Sequence, residues 1–533
     1  MDIFLLSERI CSTPPSLLAT PRFRVSSVSR KRGRVWDAIS SVERWFNATY
    51  QGFPFDFFKD VLTSVKISRN SAFAALVAEE VARRANGNRI SKGDAEELRK
   101  ICPQRKFQCA PGRFRTPAGG CNNVDHPEWG ASLEPFLRVL PPNYDDGLSA
   151  ARQKRLPDPF LVVNQLEKLS SPKSLPISRL FAEFLSLVFD DISRRAPYTN
   201  ENLMGSSSCC SNSPECIHST KDDMIPSCSS YSRSLAIPSK DCHPIEREQV
   251  NMVSGYLDAS TIYGNSSLAE MHTKRTLCGR LQRINPSWTD ERLFEESRKI
   301  IGALLQHLTY NEMLPLLLGR EIASKISHFV DFSDEFISPH RSINSLKNLY
   351  HKIDYIDLLS GVFVEKSLNG AIVGPTLACI LEKQFIKLKF SDRFWYDSSL
   401  APTAFTSLQI AEIKKFTVAN LLCLSEEVAF VQPSAFLLSD HFDNAPLHCN
   451  LSSTIIDLSF WKEDELHREV SLPSSSCRKV FDEAEKEIRQ RDHRIAEKTF
   501  NLSPQISLYG RFTRPKSEAI AVSRVSRLLL QVH

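Results

Sequence analysis

The chain has 533 residues, of which 42% are apolar, a share large enough to form a sizeable hydrophobic core. Its formal net charge of +5 is too small to indicate a nucleic-acid partner, and no basic stripe with interleaved aromatic residues occurs. No apolar run approaches the roughly 18 residues of a membrane-spanning helix, so we predict a globular protein without a membrane span.

The terminal regions differ in composition from the rest of the chain. Residues 1–35 are rich in Ser, Pro and Arg, so we predict a flexible basic arm, with a processing site as the functional alternative. In residues 36–108, apolar positions recur at helical spacing, most clearly from Ala72 to Ala85, and two or three helices are expected. Residues 462–533 form a charged tail with a solvent-exposed helix, for which a partner-binding helix or short coiled coil is the alternative.

The cysteines and glycosylation motifs indicate an oxidising compartment. Fourteen cysteines occur, several of them between Cys209 and Cys242, which is typical of disulfide pairs in a secreted protein. No Cys-x-x-Cys motif occurs, so zinc is not expected. The N-terminus has an acidic start and only a short apolar stretch, so it does not make a convincing signal peptide. Asn-x-Ser/Thr acceptors for glycosylation begin at Asn47, Asn265, Asn450 and Asn501.

A run of oxygen-bearing side chains marks the middle of the chain. Ser254, Tyr256, Asp258 and Ser260 follow one another at two-residue intervals. In an extended or looping backbone, such spacing lets their oxygen atoms converge on one hard cation. Because the same spacing is common in ordinary loops, a loop without a ligand is the alternative.

Four stretches of sequence resemble the animal haem peroxidases (the myeloperoxidase, lactoperoxidase and peroxidasin family). They are Cys-Ala-Pro-Gly-Arg-Phe-Arg-Thr-Pro-Ala-Gly-Gly-Cys-Asn-Asn at 109–123, Arg-Glu-Gln-Val-Asn-Met-Val-Ser-Gly-Tyr-Leu-Asp-Ala-Ser-Thr-Ile-Tyr-Gly at 247–264, and the regions 293–319 and 348–396. The resemblance covers residues 109–461 in three blocks. It implies a mainly α-helical, haem-peroxidase-like domain that is incomplete and carries disulfide-rich loops.

The family's distal helix is altered at its catalytic positions. In the family this helix supplies a distal Gln, an Asp that forms an ester with the haem, the distal His and a calcium-binding Asp. The corresponding residues are Ser186, Phe189, Asp190 and Asp191, of which only Asp191 keeps its type. A free Asp is a weaker base than His by about 2.6 pKa units. Burial beside haem would partly restore a basic role to Asp190; an ordinary acidic helix end is the alternative.

The family's calcium ligands are all present in type. Two carboxylates together with hydroxyl and carbonyl oxygens suit calcium, which takes six to eight oxygen ligands. The implied set is Asp191, Ser254, Tyr256 (through its carbonyl oxygen), Asp258 and Ser260.

The resemblance also implies how some cysteines pair. The implied disulfides are Cys109–Cys121 and Cys423–Cys449. Two further bridges are expected among the cysteines of residues 209–242, with their pairing left open. Cys379 is expected to lack its usual partner, because that partner lies in a block missing from this chain.

Two family blocks are missing. The block with the catalytic Arg would fall between residues 281 and 282, and the block with the proximal His, the ligand of the haem iron, would follow residue 319. His307 lies in a core helix and is expected to be a structural histidine. Because a haem iron needs an axial protein ligand, haem is doubtful in this chain.

Two functions follow as expectations. The family reduces hydrogen peroxide with haem and oxidises a phenolic or halide donor, an activity suited to an oxidative stress response; this chain is expected to be impaired or an incomplete form, and inactive as written. The alternative is a non-catalytic, secreted calcium-binding protein that keeps the calcium and disulfide framework. A third possibility is a chain that folds poorly, because lost helices would expose apolar faces. The oligomeric state stays open.

Overall fold

A computed structural model gives the arrangement of most of the central part of the chain. The residues that it describes are 33–49, 59–85, 90–136, 142–151, 176–195, 215–218, 230–263, 277–328, 365–398 and 403–463, with short gaps inside the third, fourth, seventh and last of these ranges. Helices dominate these residues, and the strands form three antiparallel two-stranded ribbons. The predicted mainly α-helical fold is therefore confirmed.

The chain divides into two compact units that interleave along the sequence. The first unit comprises residues 1–106, 142–154 and 195–250, and the second comprises residues 107–141, 155–194 and 251–533. The domain boundaries predicted near residues 36, 109 and 462 stay predictions.

The described residues of the first unit form three helices and two ribbons. The helices are α1 (Arg34–Thr49), α2 (Lys59–Arg84) and α3 (Lys92–Ile101). The ribbons pair β1 (Cys216–His218) with β2 (Ser230–Ser232) and β3 (Ala236–Ile237) with β4 (Glu248–Gln249). Helix α2 contains the apolar stretch predicted from residue 72 onward, and its side chains at Val77 and Val81 are fully buried.

A disulfide joins Cys102, just after α3, to Cys242. The sequence did not predict this bond, which closes a loop of 140 residues. Two bridges were expected among the five cysteines of residues 209–242, and this bond shows that Cys242 takes no part in them. Cys209, Cys210 and Cys228 lie outside the described residues.

The second unit holds most of the buried apolar side chains. Its helices are α4 (Arg179–Ile192), α5 (Ser260–Tyr263), α6 (Gly279–Ile284), α7 (Asp290–Leu308), α8 (Leu314–Leu318), α9 (Arg320–His328), α10 (Pro375–Phe390), α11 (Ser407–Lys415) and α12 (Val418–Cys423). A π-helix covers Thr309–Met313, a 3-10 helix covers Leu458–Trp461, and β5 (Phe430–Val431) pairs with β6 (Leu447–His448).

Helix α7 is the central element of this unit. The Thr289 side chain caps its N-terminus by accepting a hydrogen bond from the backbone N–H of Arg292, and acidic residues fill the first turn. Ile300, Leu304 and Leu308 are fully buried, as the apolar spacing predicts. The helix then widens into the π-helix, and Pro315, which has no backbone N–H, lies in the first turn of the helix that follows.

Helix α4 presents one face to the core. Phe184, Leu187 and Val188 are fully buried, and the Phe184 ring lies 5.1 Å from the ring of Phe436. Asp191 lies on the same buried face. The core therefore places a carboxylate deep in the unit.

Two further disulfides occur in the second unit, Cys109–Cys121 and Cys423–Cys449, the pairs implied by the family resemblance. Cys379 is a free cysteine, as expected, and so is the buried Cys278. None of the described helices is long and apolar enough to cross a membrane.

Candidate metal centre and the catalytic positions

The end of α4 and residues 254–261 form one hydrogen-bonded cluster around Asp191. The backbone N–H groups of Asp258 and Ala259 donate to Oδ2 of Asp191 at 3.0 and 2.9 Å. Thr261 donates to Oδ1 from its N–H at 3.0 Å and from its hydroxyl at 2.7 Å. The Ser260 hydroxyl lies 3.4 Å from the same oxygen. A loop distant in sequence thus folds around one carboxylate.

Asp258 is the second carboxylate of the cluster. Its Oδ2 accepts a hydrogen bond from the Ser254 hydroxyl at 2.7 Å, and its Oδ1 accepts one from the Ser260 N–H at 3.0 Å. The Ser254 hydroxyl also lies 3.4 Å from the carbonyl oxygen of Tyr256. All five predicted calcium ligands therefore belong to one connected network.

Both carboxylates are buried, and their electrostatics reflect it. Burial, with the nearby Asp258 charge as a second cause, raises the pKa of Asp191 to about 7. Burial also raises the pKa of Asp258, although the positive charge of Arg115 opposes the shift. Two buried acids this close favour a shared proton or a bound cation over two free negative charges.

The loop is held in place from two sides. The Tyr256 hydroxyl donates to the carbonyl oxygen of Trp129 at 2.7 Å, and its ring lies against Gly130, where a Cβ atom would come within 2.6 Å of the ring. Gly302 of α7 faces the backbone of Asp258, with its hypothetical Cβ 3.3 Å from that carbonyl oxygen. A Cβ atom at position 130 would clash with the Tyr256 ring, and one at position 302 would be in tight contact with the Asp258 carbonyl oxygen.

A second network supports the loop from the core. Gln306 donates to the carbonyl oxygen of Leu257 at 2.9 Å and to Asp392 at 3.2 Å. Asp392 also accepts hydrogen bonds from Arg115 at 2.8 Å and Asn122 at 3.0 Å. These positioning residues come from three separate segments, and the sequence analysis missed them.

The donor set fits a hard cation. Its members are all oxygen ligands: two carboxylates, the hydroxyls of Ser254 and Ser260, the carbonyl of Tyr256, and the hydroxyl of Thr261, which the sequence analysis missed because it falls outside the two-residue spacing. Within the described ranges, no group of three or more His, Cys, Asp and Glu side chains could hold a metal ion. Carboxylate, hydroxyl and carbonyl oxygens are ligands that calcium accepts, whereas softer metals prefer nitrogen and sulfur.

The positions that correspond to the family's catalytic residues lie on the other face of α4. Ser186 is exposed, whereas Phe189 and Asp190 are half-buried. They are three and four residues apart, so they share one helix face that turns away from the buried Phe184 and Asp191. The structure thus brings the predicted calcium ligands together, whereas Ser186 is exposed and Phe189 and Asp190 are half-buried, with Phe189 packed against the edge of the core.

His307 is a satisfied structural histidine, as the sequence predicted. Its Nδ1 atom lies 2.9 Å from the Asn311 side-chain nitrogen and 3.3 Å from the Tyr396 hydroxyl. Burial, aided by the positive charge of Lys414, lowers the pKa of His307 to about 4. Two other histidines that follow the missing block, His340 and His351, lack the sequence context of the family's haem ligand and lie outside the described residues. Within the described residues, His307 does not fit a haem group, and neither does the face of α4 that carries Ser186, Phe189 and Asp190.

The chain is similar in sequence to a known protein family and to several individual proteins. The family model for animal haem peroxidase matches residues 114–276, 271–330 and 322–436. Peroxidase skpo-1 of Caenorhabditis elegans is 25% identical over 67% of this chain and 79% of its own length. Chorion peroxidase of Drosophila melanogaster is 23% identical over 66% of this chain and 71% of its own.

Other matches cover smaller shares of their partners or are more distant. The human peroxidasin homolog is 20% identical over 67% of this chain, but the match spans only 39% of that protein. Among solved structures, peroxidase A from Dictyostelium discoideum gives a TM-score of 0.43 at 15% identity, covering 61% of this chain and all of that one. The family match extends over more than half of the sequence, and this chain belongs to the animal haem peroxidase family.

Proposed function

We propose that this chain is a haem-peroxidase-like protein that binds calcium between Asp191 and residues 254–261. We also propose that the family's activity is impaired in it; that activity is haem-dependent reduction of hydrogen peroxide coupled to oxidation of a small phenolic or halide donor. The observation that carries the proposal is the pair of buried carboxylates Asp191 and Asp258, ringed by hydroxyl, carbonyl and N–H groups.

The altered face of α4 supports impaired catalysis. When haem is bound, it supplies the redox chemistry of peroxide cleavage, and a distal His moves the protons of the peroxide. Asp190 stands at the position of that His, and Phe189 has no carboxylate with which to form an ester to the haem. Since the residues described do not fit a haem group, we assign no catalytic step to them.

We also propose an extracellular location. The two disulfides of the second unit and the bond between Cys102 and Cys242 are compatible with an oxidising compartment. The four glycosylation acceptors predicted from the sequence agree with this location. Cys379 is then a thiol open to oxidation.

Calcium-dependent stability tests the metal site. We expect calcium to raise the melting temperature of the protein, because a ligand at one hundred times its Kd stabilises the folded state by about 2.7 kcal/mol. Asp258→Ala should abolish the increase, whereas Asp440→Ala, which removes an exposed carboxylate, should leave it intact. Equal melting temperatures with calcium and with a chelator would remove the calcium site from the proposal.

A haem titration of the calcium-loaded protein tests the proposal that the peroxidase activity is impaired. We expect no stoichiometric Soret band and no spectral response to hydrogen peroxide. That result, in a folded protein, would leave a non-catalytic calcium-binding protein. A sharp band that saturates at one haem per chain and changes on adding peroxide would show that another residue ligates the iron, and would restore the enzyme.

A further inference from the structure

Residues 438–447 of the second unit form an exposed apolar loop. Every residue in this loop is exposed except Asn444. Phe442 is 90% exposed, and the exposed fractions of Leu438 and Leu447 are 38% and 56%. Large apolar side chains that lie close together along the chain and face water are typical of an interaction surface. We call residues 438–447 the apolar loop.

The backbone of the apolar loop is fixed by its surroundings. The Asn444 side chain accepts a hydrogen bond from the N–H of Ser434 and donates one to the carbonyl oxygen of Leu438, both at 2.9 Å. The N–H of Leu438 donates to the carbonyl oxygen of Pro176, just before α4, at 3.1 Å. An ordered backbone therefore presents the Phe442 ring to solvent, which lowers the entropic cost of binding a partner there.

The charged side chains of the apolar loop all carry the same sign. Asp440 and Asp443 lie on either side of Phe442 in sequence, and both are exposed. Within the described part of the chain, neither of them forms an ion pair. No Lys or Arg occurs anywhere in residues 428–449. Such a surface favours a partner that is both apolar and basic, and it repels an acidic one.

The C-terminal part of the sequence has this complementary chemistry. No acidic residue occurs in residues 519–533, whereas Arg524 and Arg527 add positive charge. The apolar residues recur at helical spacing, at Ala521, Val522, Val525, Leu528, Leu529 and Val532. At that spacing, the two arginines fall outside the apolar stripe. We call residues 519–533 the C-terminal segment; it lies outside the described residues.

We propose that the C-terminal segment binds to the apolar loop of its own chain, with its apolar stripe against Phe442 and its arginines beside Asp440 and Asp443. Residues 464–518 connect the two, and this connection is long enough because an extended chain spans about 3.3 Å per residue. Binding would remove the Phe442 ring from water, and the pairing of opposite charges at the rim would fix the orientation of the segment.

A fluorescent peptide with the sequence of residues 517–533 tests the proposal. Fluorescence anisotropy would measure its binding to the full-length chain and to a released variant, Leu528→Asp/Leu529→Asp, whose own apolar stripe is disrupted. We expect the released variant to bind the peptide at least about tenfold more tightly than the wild type, in which the tethered segment competes for the loop. The control Leu502→Asp/Leu508→Asp makes the same change elsewhere in the tail and should bind as the wild type does.

Two results of this titration would overturn the proposal. Equal binding by the wild type and the released variant would mean that the tethered segment does not occupy the loop. Absence of binding to the released variant would mean that the chain has no site for the segment.

A substitution in the apolar loop identifies the site. Adding Phe442→Asp to the released variant should weaken peptide binding about tenfold or more, because aromatic anchors carry much of the affinity of an interface. The substitution should not disturb folding, since the ring is 90% exposed. Undiminished binding would place the peptide elsewhere on the chain and contradict the assignment.

A charge exchange tests the orientation of the segment. Adding Asp440→Lys and Asp443→Asn to the released variant makes the loop basic, and Asn tolerates the positive φ of 59° at position 443. A peptide with Arg524→Glu and Arg527→Glu should then bind more tightly than the unaltered peptide. If the unaltered peptide still binds more tightly, the arginines do not lie beside these aspartates.

Two other occupants of the apolar loop would give different results. We expect the wild type and the released variant to sediment alike in ultracentrifugation. A wild-type dimer that the released variant does not form would show that the segment binds a second copy, and would overturn binding within one chain. We also expect no association with phosphatidylcholine vesicles; association that Phe442→Asp abolishes would mean that the loop enters lipid, and would overturn the proposal.

Discussion

Two buried acid pairs in this chain are neutralised in different ways. In the first unit, Arg247 donates to both oxygens of Glu215, at 2.8 and 2.5 Å, and lies 3.5 Å from Glu79. Burial would lower the pKa of Arg247, but the charges of Glu215 and Glu79 raise it above its usual value. Arg233 adds a second positive charge 3.7 Å from Glu215. This acid pair carries its own cations.

In the second unit, the pair Asp191 and Asp258 is surrounded by hydroxyl and N–H groups instead. The nearby Arg115 acts on Asp258, but that guanidinium forms its ion pair with Asp392. Hydrogen bonds satisfy the lone pairs of both aspartates without cancelling their charge. An acid pair with an internal arginine is complete by itself, whereas a pair without one is suited to a cation from solution.

Removing Arg247, the internal cation of the first acid pair, is expected to cause the largest loss of stability. Arg247→Met should lower the free energy of unfolding by about 3–5 kcal/mol, because the buried Glu79 loses its arginine partner and Glu215 keeps only the more distant Arg233. Urea denaturation with circular dichroism would measure the loss. Arg179→Met breaks an exposed pair with Glu183 and should cost about 0.5 kcal/mol or less. Similar losses in the two variants would mean that the Arg247 cluster is not a structural requirement.

The pair Asp191 and Asp258 can be tested through the pH dependence of the stability of the calcium-free protein. In the folded state the pKa of Asp191 is raised from 3.8 to about 7. A raised carboxyl pKa means that the folded state binds the proton more tightly, so the contribution of this group to stability is greatest below pH 4 and is lost as the pH rises through 7. The expected loss for this group is on the order of 4 kcal/mol.

Denaturation in a chelator between pH 4 and pH 8 would reveal this slope. Asp191→Asn should make the slope smaller, since this group then releases no proton and only other carboxyls with a raised pKa, such as Glu312, contribute to it. Calcium should oppose the slope by competing with the proton for the carboxylates. The exposed Asp440→Asn variant serves as the control and should keep the slope. A wild-type curve that is already flat without calcium would show that the aspartate pair does not hold a proton.

Whether the sequence predicts that two residues lie together in the structure depends on how far apart they are along the chain. Ser254, Asp258 and Ser260 come from one short stretch, so their spacing and the family resemblance suffice to group them. Asp191 was added through the resemblance alone, because it is 67 residues from its nearest partner N–H. His307 was predicted to be structural from its place in an apolar core helix and from the family resemblance, and its partner Asn311 lies one helical turn away.

Long-range partners could not be predicted. The bond between Cys102 and Cys242 spans 140 residues, and many pairings of 14 cysteines were compatible with the sequence. Asp392 meets Arg115 across 277 residues. The π-helix after α7 was also missed, because apolar spacing predicts that a helix continues without showing where its hydrogen bonding widens.

Glu312 is a third case to compare with the two acid pairs. It is a single acid, and its main partner is neither an arginine nor a second carboxylate. It lies in the π-helix, and its Oε1 accepts a hydrogen bond from the N–H of Val418 at 2.8 Å. Burial, opposed by that hydrogen bond, raises the pKa of Glu312 from 4.5 to about 7. The ionised form is therefore disfavoured, and the folded protein loses stability as the pH rises from 4.5 to 7.

Glu312→Gln keeps the oxygen that accepts from Val418 and removes the charge. Because the side chain is only half-buried, solvent screens part of the effect, and we expect a gain in unfolding free energy of about 1 kcal/mol at pH 8. At pH 4 the two proteins should be equally stable, since Glu312 is then protonated. A gain of the same size at both values of pH would arise from packing. A loss at pH 8 would mean that the carboxylate is held by a cation, as Glu215 is.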